Sequence, residues 1–175
     1  MGQVGRVGQV GRAGQVGVIV VLDNVRSLYN TGAFFRTADG CGVDKLVLCG
    51  ITPRPDQGSR QRRAIAKTAL GAEDAVSWEY EPDTAMAIDK AASAGYHVAA
   101  VENSATAVDL YRWEAPEAVC LVFGHETGGV APAIADRIAT HVRIPMLGQK
   151  RSLNVASAAA VVLYELMRRR RYGRV

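Results

Sequence analysis

Val18-Ile-Val-Val-Leu22 leads into Asn30-Thr-Gly-Ala-Phe-Phe-Arg-Thr-Ala38 and then into Lys45-Leu-Val-Leu-Cys49. The first and last runs are short, apolar and without polar alternation, which reads as strand buried on both faces. The segment between them predicts a helix, with Asn30 as its N-cap and Gly42 as its stop. Strand, helix and strand in that order is the unit from which parallel sheets grow.

The same alternation continues outward. Residues 50–63 are loop-rich, with Pro53, Pro55 and Gly58. A short helix is expected over 65–70 and a strand over 75–78. The pattern of 83–94 predicts a helix with Ala85, Ile88 and Ala92 on one face and Gly95 as its stop. Residues 96–101 and 118–123 read as two more strands. Pro132 opens a brief helix carrying Ile134, Ala135 and Ile138, and 141–144 is a last strand. Residues 152–171 form a long terminal helix with alanine on its packing side. The fold class is therefore α/β: an open, mostly parallel sheet with helices on both faces. Ligands in such sheets bind beyond the carboxyl ends of the strands.

Composition bounds the rest. A chain of 175 residues, nearly half of them hydrophobic, suits one domain with a real core. The folded unit is expected over 18–175. Before it, Gly2, Gly5, Gly8, Gly11, Gly14 and Gly17 recur every third position. Without proline, and with so few triplets, residues 1–17 read as a flexible leader, not a triple helix. No apolar run reaches the 18 residues of a membrane span, and the N-terminus has no signal-peptide core. Cys41, Cys49 and Cys120 are scattered in apolar surroundings, without metal-type pairing. Buried free thiols in a reducing cytoplasm follow, with no membrane and no metal among the partners.

Three segments carry chemistry, and each follows a predicted strand. In the first, Gly32, Arg36 and Asp39 share one helical face, while Phe34, Ala38 and Cys41 share the buried one. Arg36 beside Gly32 and Ala33 then has open space suited to a phosphate. The plainer alternative is a surface arginine on an amphipathic helix with Asn30 as an ordinary cap. The second segment is Val122-Phe-Gly-His-Glu-Thr-Gly-Gly-Val130. It fits neither the dinucleotide fingerprint nor the P-loop. Its glycines admit close backbone approach, and Glu126 is its sole acid, able to accept a proton or hold a ribose hydroxyl. His125 reads as a loop histidine. The third is Ile144-Pro-Met-Leu-Gly-Gln-Lys-Arg-Ser-Leu-Asn154. Gly148 permits a sharp turn, and Ser152 or Asn154 caps the last helix, whose free backbone groups also form a polar site.

Together, in this order, the three segments resemble the motifs of the SpoU (TrmH-type) RNA ribose 2′-O-methyltransferases, a branch of the knotted SPOUT superfamily. The resemblance runs from about Val18 to Arg169. It implies a C-terminal trefoil knot, which local pattern would not predict. It implies S-adenosylmethionine as methyl donor, held chiefly by backbone around Val122, Phe123, Gly124, Ile144, Met146, Gly148 and Leu153. It implies active-site roles for Asn30, Arg36, Glu126, Ser152 and Asn154. It also implies a homodimer through the first motif helix and the terminal helix. On that last helix Ala156, Ala159 and Leu163 form one stripe and Val155, Val162 and Leu166 its neighbour, so one can pack on the sheet while the other meets a partner. Many ribosomal-RNA members carry an extra N-terminal substrate-binding domain, whereas only the glycine repeat stands before this unit. Residues 98–110 resemble members that methylate guanosine in transfer RNA, which favours tRNA over rRNA.

The implied reaction moves a methyl group from a sulfonium to a ribose oxygen. The donor is already activated, so alignment and proton removal remain, and no metal is needed. A guanidinium keeps its proton, so Arg36 is expected to clamp a phosphate and stabilise the developing alkoxide. Glu126 could then take the proton directly or through water; the resemblance also offers Arg36 itself as a base helped by an RNA phosphate, and the sequence does not choose between the two. The net charge of +4 is clustered. Arg54, Arg60, Arg62, Arg63 and Lys67, then Lys150 and Arg151, and finally 168–171 with Arg174, are the expected RNA contacts. Rival readings are an rRNA target, including drug-resistance methylation, and a non-catalytic RNA-binding knot domain. A nucleotide-dependent oxidoreductase is a third, disfavoured by the missing glycine fingerprint.

Overall fold

The computed structural model describes residues 17–125 and 128–173. Among these residues seven strands form one sheet in the order β3-β2-β1-β6-β4-β7-β5, and every pair is parallel. The strands are β1 (Gly17–Asp23), β2 (Lys45–Cys49), β3 (Trp78–Glu81), β4 (His97–Val101), β5 (Val108–Asp109), β6 (Ala118–Phe123) and β7 (Thr140–Arg143). The central strands β1 and β6 are the most continuously apolar, because both of their faces are covered.

Among the described residues, six helices cover the sheet. They are α1 (Leu28–Cys41), α2 (Ser59–Ala69), α3 (Ala72–Ala75), α4 (Thr84–Ser93), α5 (Pro132–Ala135) and α6 (Val155–Tyr172). One core holds Phe34, Phe35, Ile65, Ala159 and Leu163, from α1, α2 and α6, against Leu22, Leu46 and Leu121. The other holds Ala87, Ile88 and Ala91 of α4 with Val130 and Ile138, against Val21, Val47 and Val122. Phe34 meets Phe123 edge-on at 5.3 Å between ring centroids, an arrangement aromatic quadrupoles favour.

Several expected details differ. Ser27, not Asn30, caps α1: its hydroxyl accepts from the Asn30 backbone N–H at 3.3 Å, so Asn30 sits within the first turn. Gly42 does end that helix, in the left-handed region at φ 68°. Gly32 does not open space for Arg36. A Cβ there would stand 2.3 Å from the Ile65 carbonyl, so its bareness admits α2. Helix α2 begins at Ser59, which puts Arg60, Arg62 and Arg63 on a helix and not in a loop. The third strand lies three residues later than expected, because 72–75 form a helical turn. The buried face of α4 is Thr84, Ala87, Ile88 and Ala91, while Ala92 is exposed. On α6, Val162 and Leu166 are buried with Ala156, Ala159 and Leu163, so the chain's own core largely consumes both stripes and leaves neither free for a partner. Cys49 and Cys120 are buried and free, and burial pushes both thiols up to about 12. Cys41 is only half-buried. The leader through residue 16 lies outside the described residues.

Candidate active site

The carboxyl ends of β4, β6 and β7 surround a cavity of about 170 Å³. The strand order reverses next to this cavity, between β1, which leads out to β2, and β6, which leads to β7 on the other side. Phe123 and Gly124 enter it from β6, Val142 and Ile144 from β7, and Met146, Ser152 and Leu153 from the segment leading to α6. Val122 lies behind this wall, fully buried in the opposite core. Gly148 and Lys150 line an adjoining hollow, which shares Arg151 with the cavity.

The glycine segment after β6 folds tightly on itself. His125 and Gly129 exchange backbone N–H···O bonds of 2.8 Å in both directions. A Cβ on Gly124 would stand 2.0 Å from the Gly129 carbonyl carbon, so the turn itself demands glycine here. Buried Asp23, at the end of β1, fixes the exit: its Oδ2 accepts the Ala131 N–H at 3.2 Å and its Oδ1 the Thr84 hydroxyl at 2.6 Å. Glu126, a candidate proton acceptor, lies outside the described residues.

The first and third motifs meet at the cavity rim. Asn154 caps α6, its Oδ1 accepting the N–H groups of Ala156 at 2.9 Å and Ser157 at 3.4 Å. Its Nδ2 donates to Asn30 Oδ1 at 3.3 Å, across 124 residues of chain. Of the two cap candidates, Asn154 is the one that folds in. Ser152 is exposed and lines the cavity two residues earlier. Arg36 is exposed, makes no ion pair among the described residues, and does not line the cavity. It stands six residues after Asn30, roughly 9 Å further along the α1 axis.

The basic clusters divide into tied and open groups. Arg54 is held by Asp56 at 3.1 Å and lies 4.0 Å above the Tyr80 ring, and Arg62 pairs with Asp74. Arg60, Arg63, Lys67, Lys150 and Arg151 are exposed, without an ion pair among the described residues. The C-terminal run is mostly structural, contrary to expectation. Arg168 and Arg169 bind Glu165, Arg169 also donates to the Leu110 and Trp113 carbonyls, and Arg170 donates to those of Pro116 and Glu117. Arg174 lies outside the described residues.

Sequence reasoning missed the contribution of β4. Glu102 and Asn103, just beyond its carboxyl end, line the cavity, and Asn103 Nδ2 donates to the Arg151 carbonyl at 2.7 Å. Glu102 Oε1 lies 2.6 Å from His141 Nδ1. A strand ending in acid and amide is too common a pattern to flag such a site. Among the described residues no group of His, Cys, Asp and Glu could hold a metal ion, and no helix is long and apolar enough to cross a membrane.

Comparison with known proteins gives a consistent picture. The model of the SpoU rRNA Methylase family matches residues 17–164. A Staphylococcus aureus protein assigned to the TrmH family of tRNA/rRNA methyltransferases is 32% identical over 154 residues. That match covers 87% of this chain and 59% of the relative, so the chain spans well under two thirds of its length. An AdoMet-bound rRNA methyltransferase from Sinorhizobium meliloti superposes with a TM-score of 0.79 at 30% identity, over 90% of this chain and 58% of that one. A structure concerning 2-OH methylation of C/U34 on tRNA superposes with a TM-score of 0.75 at 29% identity, over 91% of this chain and 99% of that one.

Proposed function

Because the chain belongs to the SpoU rRNA methylase family, we propose that it transfers a methyl group from S-adenosylmethionine to a ribose 2′-hydroxyl of RNA, with tRNA favoured over rRNA. The observation that carries this reading is the Asn30–Asn154 bond at the rim of a cavity lined by Gly124, Ile144, Met146 and Leu153. Polar groups from the two ends of the chain stand beside a slot with an apolar wall and bare backbone. That combination suits a nucleoside whose flat base is buried and whose ribose needs partners.

Phe123, Gly124, Ile144, Met146 and Leu153 would hold the donor, with Val122 supporting the wall and Gly148 shaping the loop. When bound, the donor supplies a methyl group already activated on sulfur. The chain's own task is to align the ribose oxygen and dispose of its proton, and alignment contributes roughly 7 to 11 kcal/mol in favourable cases. Asn30, Ser152 and Asn154 orient the ribose and the donor. Arg36 grips an RNA phosphate and stabilises the developing alkoxide, while Glu126 takes the proton. The distance of Arg36 from the cavity suits a site completed by a second copy packed on α1. Tyr29, Leu147 and Leu153, exposed near the rim or in the segment before α6, supply apolar area for such a homodimer. The trefoil threading and a cytoplasmic location belong to the same reading.

RNA then lies across the open cations Arg60, Arg63 and Lys67 of α2 and Lys150 and Arg151 at the cavity mouth, with Arg54 and Arg62 available once their surface pairs exchange. The likeness of residues 98–110 to tRNA-methylating members, and the near full-length match to a structure concerning tRNA, favour tRNA. Incubation with labelled S-adenosylmethionine and total RNA tests the proposal. Label should enter tRNA and reside in linkages that resist alkali, because a methylated 2′-oxygen cannot attack its phosphate. Label in alkali-labile positions, or in protein alone, defeats the proposal.

A further inference from the structure

We propose that Glu102 binds the methyl donor through Oε2 and that His141 positions it; the inference rests on the donor assignment above. Glu102 follows β4 directly, and its backbone N–H donates to the Val142 carbonyl at 3.0 Å, which fixes the side chain's origin at the cavity wall. Oε1 is taken by His141 Nδ1 at 2.6 Å, and His141 Nε2 lies 2.7 Å from the Ile138 carbonyl. Both ring nitrogens thus face oxygen atoms, one of a carboxylate and one of a backbone carbonyl. The two side chains are only 18% and 16% exposed. A ring held at both ends keeps the carboxylate in one orientation.

That orientation leaves Oε2 without a hydrogen bond among the described residues, 4.0 Å from where a Cβ on Gly129 would stand. Glu102 is also the sole carboxylate lining the cavity among those residues. This oxygen is open to the cavity, and a purely structural pair would not need to aim it across that space toward the glycine turn. A ligand with N–H or O–H groups satisfies it. S-adenosylmethionine offers them in two places, on its nucleoside half and on its amino-acid half.

Calorimetric titration of the parent, Glu102→Gln and His141→Gln with S-adenosylmethionine and with 5′-methylthioadenosine tests the inference. Glu102→Gln should weaken S-adenosylmethionine at least tenfold with an unchanged melting temperature. Equal weakening of 5′-methylthioadenosine assigns the contact to the nucleoside half, and its sparing assigns the amino-acid half; either supports the inference. His141→Gln should weaken binding by a smaller factor. In nitrogen-15 spectra, Glu102→Gln should shift the His141 ring resonances from their positions in the parent. Should Glu102→Gln not fold, Glu102→Asp, which shortens the reach, is expected to give the same loss. Binding by a folded variant within twofold of the parent overturns the inference while leaving the donor assignment standing. A parent that binds no S-adenosylmethionine overturns both. Unchanged His141 resonances in Glu102→Gln overturn the positioning role.

Discussion

Arg36 and Gly124 separate two ways in which one side chain can matter. Arg36 makes no ion pair among the described residues and is exposed, so its removal should leave folding and donor binding nearly unchanged. Under the proposed chemistry, Arg36→Ala lowers single-turnover methyl transfer on the order of 100-fold or more, the scale of a lost transition-state donor. Arg36→Lys recovers little, because an ammonium lacks the bidentate fork. A single-turnover rate within about threefold of the parent at saturating donor would make Arg36 surface decoration, since that is well under 1 kcal/mol of barrier. Gly124→Val acts through the fold: its Cβ would collide with the Gly129 backbone. Donor binding should vanish in calorimetry and the melting temperature should fall with it. At this scale the sequence announced residues whose type is unusual for their setting, such as Asn30, Gly124 and Asn154. It was silent on Asp23, Glu102 and His141, because their meaning comes from partners far along the chain.

Helix α6 binds structure to site, and its two ends can be tested apart. Asn154→Ala removes the cap and should cost about 1 kcal/mol in denaturant unfolding. Asn154→Asp keeps the acceptor for Ala156 and Ser157 but offers no N–H to Asn30. Stability should hold while methyl transfer falls, and equal activity in both forms would remove that bond from the chemistry. At the other end, Glu165 is held down to about 2 by its hydrogen bonds to Arg168 and Arg169. A carboxylate lowered on folding stabilises the native state above its ordinary range and loses that contribution as pH falls from about 4.5 toward 2. The parent should therefore lose melting temperature more steeply than Glu165→Gln over that interval, and parallel curves would refute the clamp. Most elements were readable from their periodicity. The start of α2 was not, because only Ile65 and Ala69 of that helix are buried and its first turns carry no apolar face. Strand β5, two residues long, is below what any pattern can register.

The molecule as a whole obeys the alternation of its sequence, and an α/β sheet with helices on both faces is what forms. The strand order was not legible, since inserting β6 between β1 and β4 depends on contacts no local window contains. The homodimer has to be argued differently from its sequence basis, now that Val162 and Leu166 are buried within one chain. Sedimentation at micromolar concentration should show twice the 18.7 kDa chain mass, and Tyr29→Asp with Leu153→Asp should return the single mass. A parent that sediments only as one chain refutes the dimer. The Asn30–Asn154 bond has a further consequence for synthesis. Translation delivers Asn30 early, but the cavity wall and its rim close only after Leu153 and Asn154 have emerged and α6 has docked against α1. Under the proposed function, a growing chain captures donor only after α6 has docked, so donor binding reports a closed site.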